Sequence, residues 1–107
     1  MKIEILYFDG CPSHERLLPL LEQMADAHGT QLDRVRIETV DEAERLRFLG
    51  SPSVRVDGRD VEPGMDERSD FGMTCRLYRS AAGQSGVPPR EWIEEALREA
   101  AGPPTPD

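Results

Sequence analysis

The chemistry of this chain concentrates in four residues, Cys11-Pro12-Ser13-His14. They follow the apolar run Ile3-Glu4-Ile5-Leu6-Tyr7-Phe8 and precede apolar residues at helical spacing, Leu17, Leu18, Leu20, Leu21 and Met24. A cysteine between a strand and a helix faces N–H groups without intrahelical partners and the positive end of the helix dipole. Both favour a thiolate. No second cysteine follows three residues on; His14 stands there instead. On a helix it shares a face with Cys11, about one turn away. As an imidazolium it would stabilise the Cys11 thiolate, and as an imidazole it would accept the thiol proton. An exposed, solvated first-turn histidine is the third reading, and all three stay open. Asp9 opposes the site, because a nearby carboxylate disfavours a thiolate.

Those residues need elements to hold them. Lys2–Phe8 reads as a buried strand closed by Asp9-Gly10. Pro12 suits a first helical position, where a missing N–H costs nothing. The helix is expected to run to about Ala27, with Leu17, Leu20, Leu21 and Met24 on its core face, Pro19 kinking it, and Gly29 ending it. His28 beside Gly29 is read as structural, a cation at the helix C-terminus. Arg34–Val40 alternates charged and apolar residues, which predicts a second strand. Asp41 is expected to cap a short helix over Asp41–Leu49, with Leu46 and Leu49 facing inward. Gly50-Ser51-Pro52-Ser53 breaks it. Val54–Val56 and Arg59–Val61 around Asp57-Gly58 predict a hairpin with a two-residue turn. Residues from about 62 to 87 read as irregular. Pro88-Pro89 opens a last helix with Ile93, Ala96, Leu97 and Ala100 inward and Trp92 packing it onto the sheet. Residues 102–107 read as a frayed tail.

Composition bounds the possibilities. The 107 residues make one domain, 1–101, with a modest core. With 37% hydrophobic and 32% charged residues, the chain reads as folded rather than disordered. A net charge of −8 argues against nucleic acid or an anionic membrane as partner. No apolar run approaches the roughly 18 residues of a membrane span. The N-terminus enters a strand without a signal sequence, so a cytoplasmic site with reduced thiols is the expectation. There is no phosphate loop, Ser-His-Asp arrangement or dinucleotide fingerprint, and no cofactor is expected. The predicted partner is a thiol or disulfide, protein or small molecule, and the chain is expected to be a monomer or weak homodimer.

The element order is β-α-β-α-β-β-α, an α/β chain with an irregular insertion at about 62–87. Both β-α crossovers are expected to make right-handed parallel connections, followed by an antiparallel hairpin. In this order the chain resembles the thioredoxin fold. The resemblance covers roughly Lys2 to Ala101. It is carried by Cys11 at the first helix, Pro19 eight positions later, Ser51-Pro52 before the third strand, the Asp57-Gly58 hairpin and the amphipathic last helix. More narrowly, Tyr7-Phe8-Asp9-Gly10-Cys11-Pro12 and Phe48-Leu49-Gly50-Ser51-Pro52-Ser53-Val54-Arg55-Val56-Asp57-Gly58 resemble small bacterial thioredoxin-like proteins. Many of those carry the name alkylmercury lyase, and some relatives use selenocysteine. The resemblance implies a reactive Cys11, with Pro12 beside it. It also implies a cis Pro52 that exposes the Ser51 backbone to an extended substrate; the sequence equally permits a trans proline ending the second helix.

His14 in place of a second cysteine cannot resolve a mixed disulfide. Thioredoxin-like proteins with one thiol at this position use an external thiol or a distant cysteine, and here the distant candidate is Cys75. The third strand leaves Pro52 at the Cys11 end and the fourth returns there, so the insertion starts near the thiol. A Cys11–Cys75 disulfide would be worth about 4 kcal/mol in the loop-entropy picture. Two other readings of Cys75 stand beside this one. It is a small buried apolar residue among Phe71, Met73, Leu77 and Tyr78, or half of a static disulfide. Arg76 and Arg79 would offset Asp9 if the insertion folds over, or are plain surface charges. The alternative function classes are a thiophilic metal site (mercury, copper or zinc) built from Cys11, His14 and Cys75, and a non-catalytic interaction module. The run Asp66-Glu67-Arg68-Ser69-Asp70 lacks calcium-loop spacing and reads as a solvated turn.

Overall fold

The structure, a computed structural model, describes residues 1–81 and 83–101. The expected tail at 102–107 lies outside the described residues. The first strand, β1, spans Lys2–Tyr7 and leads into helix α1, Pro12–His28. Pro12 occupies the first turn of α1, and Gly29 ends the helix in the left-handed conformation (φ 61°). Its buried face is His14, Leu17, Leu21, Met24 and Ala25. Leu20 packs against the core only in part.

The second strand, β2, is Gln31–Arg36 rather than the expected 34–40. Parallel pairing with β1 sets its bounds, from Lys2 opposite Gln31 to Tyr7 opposite Arg36. The charged–apolar alternation over 34–40 marked an edge strand's two faces but not its ends. Helix α2 spans Val40–Arg45, and its cap is Thr39, not Asp41. The Thr39 hydroxyl accepts the Glu42 N–H at 3.1 Å, and the Glu42 carboxylate accepts the Glu38 N–H at 3.2 Å. A hydroxyl at Thr39 with an acidic residue three positions on is a reciprocal capping arrangement. It starts the helix two residues earlier than Asp41 would.

Strands β3, Ser53–Val56, and β4, Arg59–Asp60, form the expected hairpin. Asp57 and Gly58 both have positive φ (50° and 84°), as a mirror-image two-residue turn demands. The sheet order is β2-β1-β3-β4. β1 and β2 are parallel, but β3 is antiparallel to β1, so the second crossover is not the expected parallel connection. Chain direction explains the difference. β2 ends beside Tyr7 at the Cys11 end, where α2 begins, and α2 is too short to carry the chain back along the sheet, so β3 enters from that same end.

The 62–87 segment is more ordered than its composition predicts. It holds a 3-10 turn at Met65–Glu67 and a separate hairpin of β5, Tyr78–Ser80, with β6, Gly83–Ser85. Helix α3 spans Arg90–Ala101 and buries Ile93 and Leu97, whereas Ala100 is exposed. Trp92 packs against the core and meets Tyr78 edge-on at 6.3 Å.

Two apolar clusters flank the sheet. Ile3 and Ile5 of β1 join α1, α3, Val54 and Val56 in one. Leu6, whose side chain alternates to the other face, joins Ile37, Ala43 and Phe48. Over the described residues the chain is thus an α/β protein with a four-stranded mixed sheet and three helices. Among the described residues no helix is long and apolar enough to cross a membrane.

Candidate functional site

Cys11 sits at the cap position of α1 with an extended backbone (φ −96°, ψ 106°). Its side chain makes no capping hydrogen bond, so the sulfur is not engaged by the helix it heads. Gly10 turns the chain there with φ 88°, a conformation that favours glycine. The thiol is free and 5% exposed. It borders a cleft of about 520 Å³ together with Tyr7, Phe8, Asp9, Pro12, His14 and Arg34.

His14 is buried, not solvated. Its ring stacks on Tyr7 with centroids 3.8 Å apart and planes 1° from parallel. The Arg34 guanidinium lies 5.7 Å from the centre of the same Tyr7 ring. Burial, and then the Arg34 charge, pull the His14 pKa below its ordinary 6.5, against the opposite pull of Glu15 and Asp9. Near neutral pH His14 is therefore an imidazole. A neutral ring does not stabilise a thiolate by charge, which removes that reading of His14. Its Nε2 is buried and makes no hydrogen bond.

Asp9 is held by Arg36, whose Nη2 lies 3.2 Å from its carboxylate and 3.2 Å from Glu38. The expectation that Arg76 would offset Asp9 is corrected. Arg76 is buried elsewhere, with Nη1 2.6 Å and Nη2 2.9 Å from the two Asp60 oxygens. It also donates to Glu62 at 2.9 Å and Ser53 Oγ at 3.0 Å, and lies 4.4 Å from the Tyr78 ring centre. Burial lowers the Arg76 pKa, but Asp60, Tyr78 and Glu62 together outweigh burial and leave it raised.

The insertion does return to this end of the sheet. Thr74–Arg76 lies parallel to Gly50–Pro52, with Cys75 opposite Ser51. The Ser51 N–H donates to Thr74 C=O at 2.8 Å, and Arg76 N–H donates to Ser51 C=O at 2.9 Å. The expectation of a Ser51 backbone open to substrate is thereby corrected, since both its groups are taken by the chain itself. Ser51 is 1% exposed, and its Oγ accepts the Phe8 N–H at 3.4 Å. The Ser51–Pro52 bond is cis. Pro52 is buried and its carbonyl accepts the Tyr78 hydroxyl at 2.6 Å.

Cys75 is a free and exposed thiol, which corrects the reading of it as a buried apolar residue and that of a static disulfide. Gly50, Arg76 and Tyr78 seat this strand. Of these only Gly50 carried a sequence signal, as the breaker before Ser51-Pro52. Tyr7 and Arg34 were legible only as strand residues.

Compared with protein-family models, curated proteins and solved structures, the chain matches none.

The metal alternative needs Cys11, His14 and Cys75 around one point. Among the described residues no group of three or more His, Cys, Asp or Glu side chains is so arranged. The reason is Cys75's position, exposed on the strand beside Ser51 while Cys11 and His14 are buried at the head of α1. Nor does Cys75 line the cleft that those two share.

Proposed function

We propose that this chain is a thioredoxin-like thiol protein that carries out thiol–disulfide exchange, as redox or detoxification chemistry in a reducing cytoplasm. Cys11 is the attacking thiol and Cys75 the resolving one. The observation that carries this is the Cys11 thiol: it heads a 17-residue helix, is not used to cap it, and shares an open cleft with a neutral, buried imidazole. The sheet order β2-β1-β3-β4 and the cis Ser51–Pro52 bond opposite the thiol turn support the thioredoxin-like part of the reading.

Cys11 loses its proton, with the His14 imidazole as acceptor in its cleft. The thiolate attacks one sulfur of R–S–S–R. The sulfur–sulfur bond breaks, one R–S⁻ leaves and is protonated from solvent, and Cys11 is held in a mixed disulfide. Cys75 then attacks the Cys11 sulfur, the second R–S⁻ leaves, and a Cys11–Cys75 disulfide remains. Two electrons have passed from protein to substrate, and an external dithiol returns them. The strand pairing at Ser51, itself bonded to Phe8, supports this second step by holding Cys75 at the Cys11 end of the sheet; Cys75 lies outside the cleft and has to move toward Cys11 once the mixed disulfide has formed.

The test is mass spectrometry of the reduced chain after bis(2-hydroxyethyl) disulfide. The parent is expected to end two hydrogens lighter, with Cys11 joined to Cys75. Cys75→Ser is expected to accumulate the adduct on Cys11, and Cys11→Ser to form neither product. If Cys75→Ser clears its adduct as fast as the parent, Cys75 does not resolve. If Cys11→Ser takes up an adduct on Cys75 as fast as Cys75→Ser takes one up on Cys11, Cys11 is not the attacking thiol.

A further inference from the structure

We infer that the Cys11 site takes small-molecule disulfides and excludes extended polypeptides, because residues 74–76 of the chain itself fill the backbone edge through which a polypeptide would pair. This rests on Cys11 as the attacking thiol and adds the substrate class.

An extended polypeptide docks by adding as a strand to unpaired backbone N–H and C=O groups. Beside the Cys11 turn, the residue whose backbone would serve is Ser51, which touches Phe8 at the cleft wall. Its N–H and C=O are already bonded to Thr74 and Arg76, at 2.8 and 2.9 Å. The seam continues upstream, where Gly72 N–H donates to Phe48 C=O at 3.0 Å.

The occupant is seated closely and anchored. A Cβ on Gly50 would stand 3.0 Å from the Thr74 carbonyl oxygen and 3.1 Å from the Arg76 Cβ. Arg76, with only 3% of its side chain exposed, holds the strand through Asp60 and Glu62. A polypeptide entering here has to break both backbone bonds and pull a paired guanidinium away from its carboxylates. A small disulfide meets no such barrier, since none of Thr74, Cys75 and Arg76 lines the Cys11 cleft. The cleft volume, about 520 Å³, falls within the roughly 300–1,000 Å³ of small-molecule sites.

The test uses the full chain with Cys75→Ser, so that Cys11 is the one thiol and its adduct is read directly by mass. Bis(2-hydroxyethyl) disulfide and insulin are the probes, each rate divided by that probe's rate with dithiothreitol. The small disulfide is expected to react at least about tenfold faster on this scale. Adding Gly50→Ala, whose methyl group pushes against residues 74–76, is expected to raise the insulin rate and leave the small-disulfide rate unchanged.

Equal normalised rates for insulin and the small disulfide in the Cys75→Ser chain would overturn the inference. Should Gly50→Ala not fold, amide exchange without that substitution decides. The Arg76 N–H stays protected with insulin present if the strand holds, and its exposure by insulin counts against the inference. Reaction with neither probe would overturn the reading of Cys11 itself, and the selectivity with it.

Discussion

At the residue scale, His14 is a group whose protonation the fold shifts in the range just below neutral pH. Its pKa is lowered by burial, with Arg34 adding to the effect. The unfolded chain therefore binds the proton more readily than the folded one just below the ordinary histidine value of 6.5. Stability from this group is fully present above 6.5 and is lost as pH falls through the lowered folded value. Urea midpoints of the parent and His14→Gln between pH 7.5 and 5 measure this. The parent is expected to lose more stability on acidification than the variant, which has no imidazole to charge. Equal slopes would mean that His14 is not buried as a neutral ring.

Arg76 is the residue whose loss is expected to cost most. Its partner Asp60 has a side chain only 9% exposed, and both Asp60 oxygens face the guanidinium. Removing one member of a buried pair leaves the other charge uncompensated, at about 3–5 kcal/mol. Arg76→Met is expected to lose at least about 3 kcal/mol in chemical denaturation at pH 7. Arg76→Lys is expected to recover only part of that, because a point charge cannot span both oxygens and stack on Tyr78. A loss under 1 kcal/mol for Arg76→Met would show that the ion-pair cluster does not hold the 74–76 strand.

At the scale of elements, α2 depends on its ends. It has six residues and buries only Ala43 from its own turns, so intrinsic helix stability contributes little. Thr39 satisfies its first turn, and Arg55 Nη2 donates to the Leu46 and Arg47 carbonyls just beyond its last, at 2.7 and 2.8 Å. Thr39→Ala is expected to cost about 1 kcal/mol in thermal or urea unfolding, and Thr39→Ser a small part of that. A neutral Thr39→Ala would mean that α2 is held by packing of Ala43 and Phe48 alone. The β3–β4 hairpin shows the opposite case. Asp57-Gly58 has the turn chemistry its backbone requires, so two adjacent residues suffice to place it.

At the scale of the whole molecule, the described structure divides into a sheet with helices on both faces and a segment that folds back across one end of it. Ser51, buried between Phe8 and the 74–76 strand, is where the two parts meet. Gly86 makes a second contact: a Cβ there would stand 2.2 Å from Ser13 Oγ, so the chain after β6 lies against the first turn of α1. The returning segment thus reaches the first turn of α1 directly at Ser13, and Phe8 on the other side of Cys11 only through Ser51. Gly86→Val is expected to lower thermal stability and to change the rate of adduct formation at Cys11, measured with bis(2-hydroxyethyl) disulfide as above. An unchanged rate in a folded variant would show that this contact does not shape the thiol site.

The sequence by itself determined the elements whose signals are local. These are the β1 run, Pro12 and Gly29 bracketing α1, the Asp57-Gly58 turn, and the apolar stripe of α3. It also marked Cys11 as the thiol at a helix head, because that placement needs only adjacent residues. Local pattern failed where a distant partner decides. The ends of β2 follow from its register on β1, and the orientation of β3 follows from how far α2 carries the chain. The exposure of Cys75, the closing of the Ser51 backbone and the burial of Arg76 all depend on one event, the docking of residues 74–76 on 50–52. Its hydrogen bonds join residues more than twenty positions apart, and its anchor is a charged side chain that composition assigns to the surface. Only the tertiary structure could put a guanidinium, two carboxylates and a tyrosine ring in one place and so dock an irregular stretch on the backbone of Ser51.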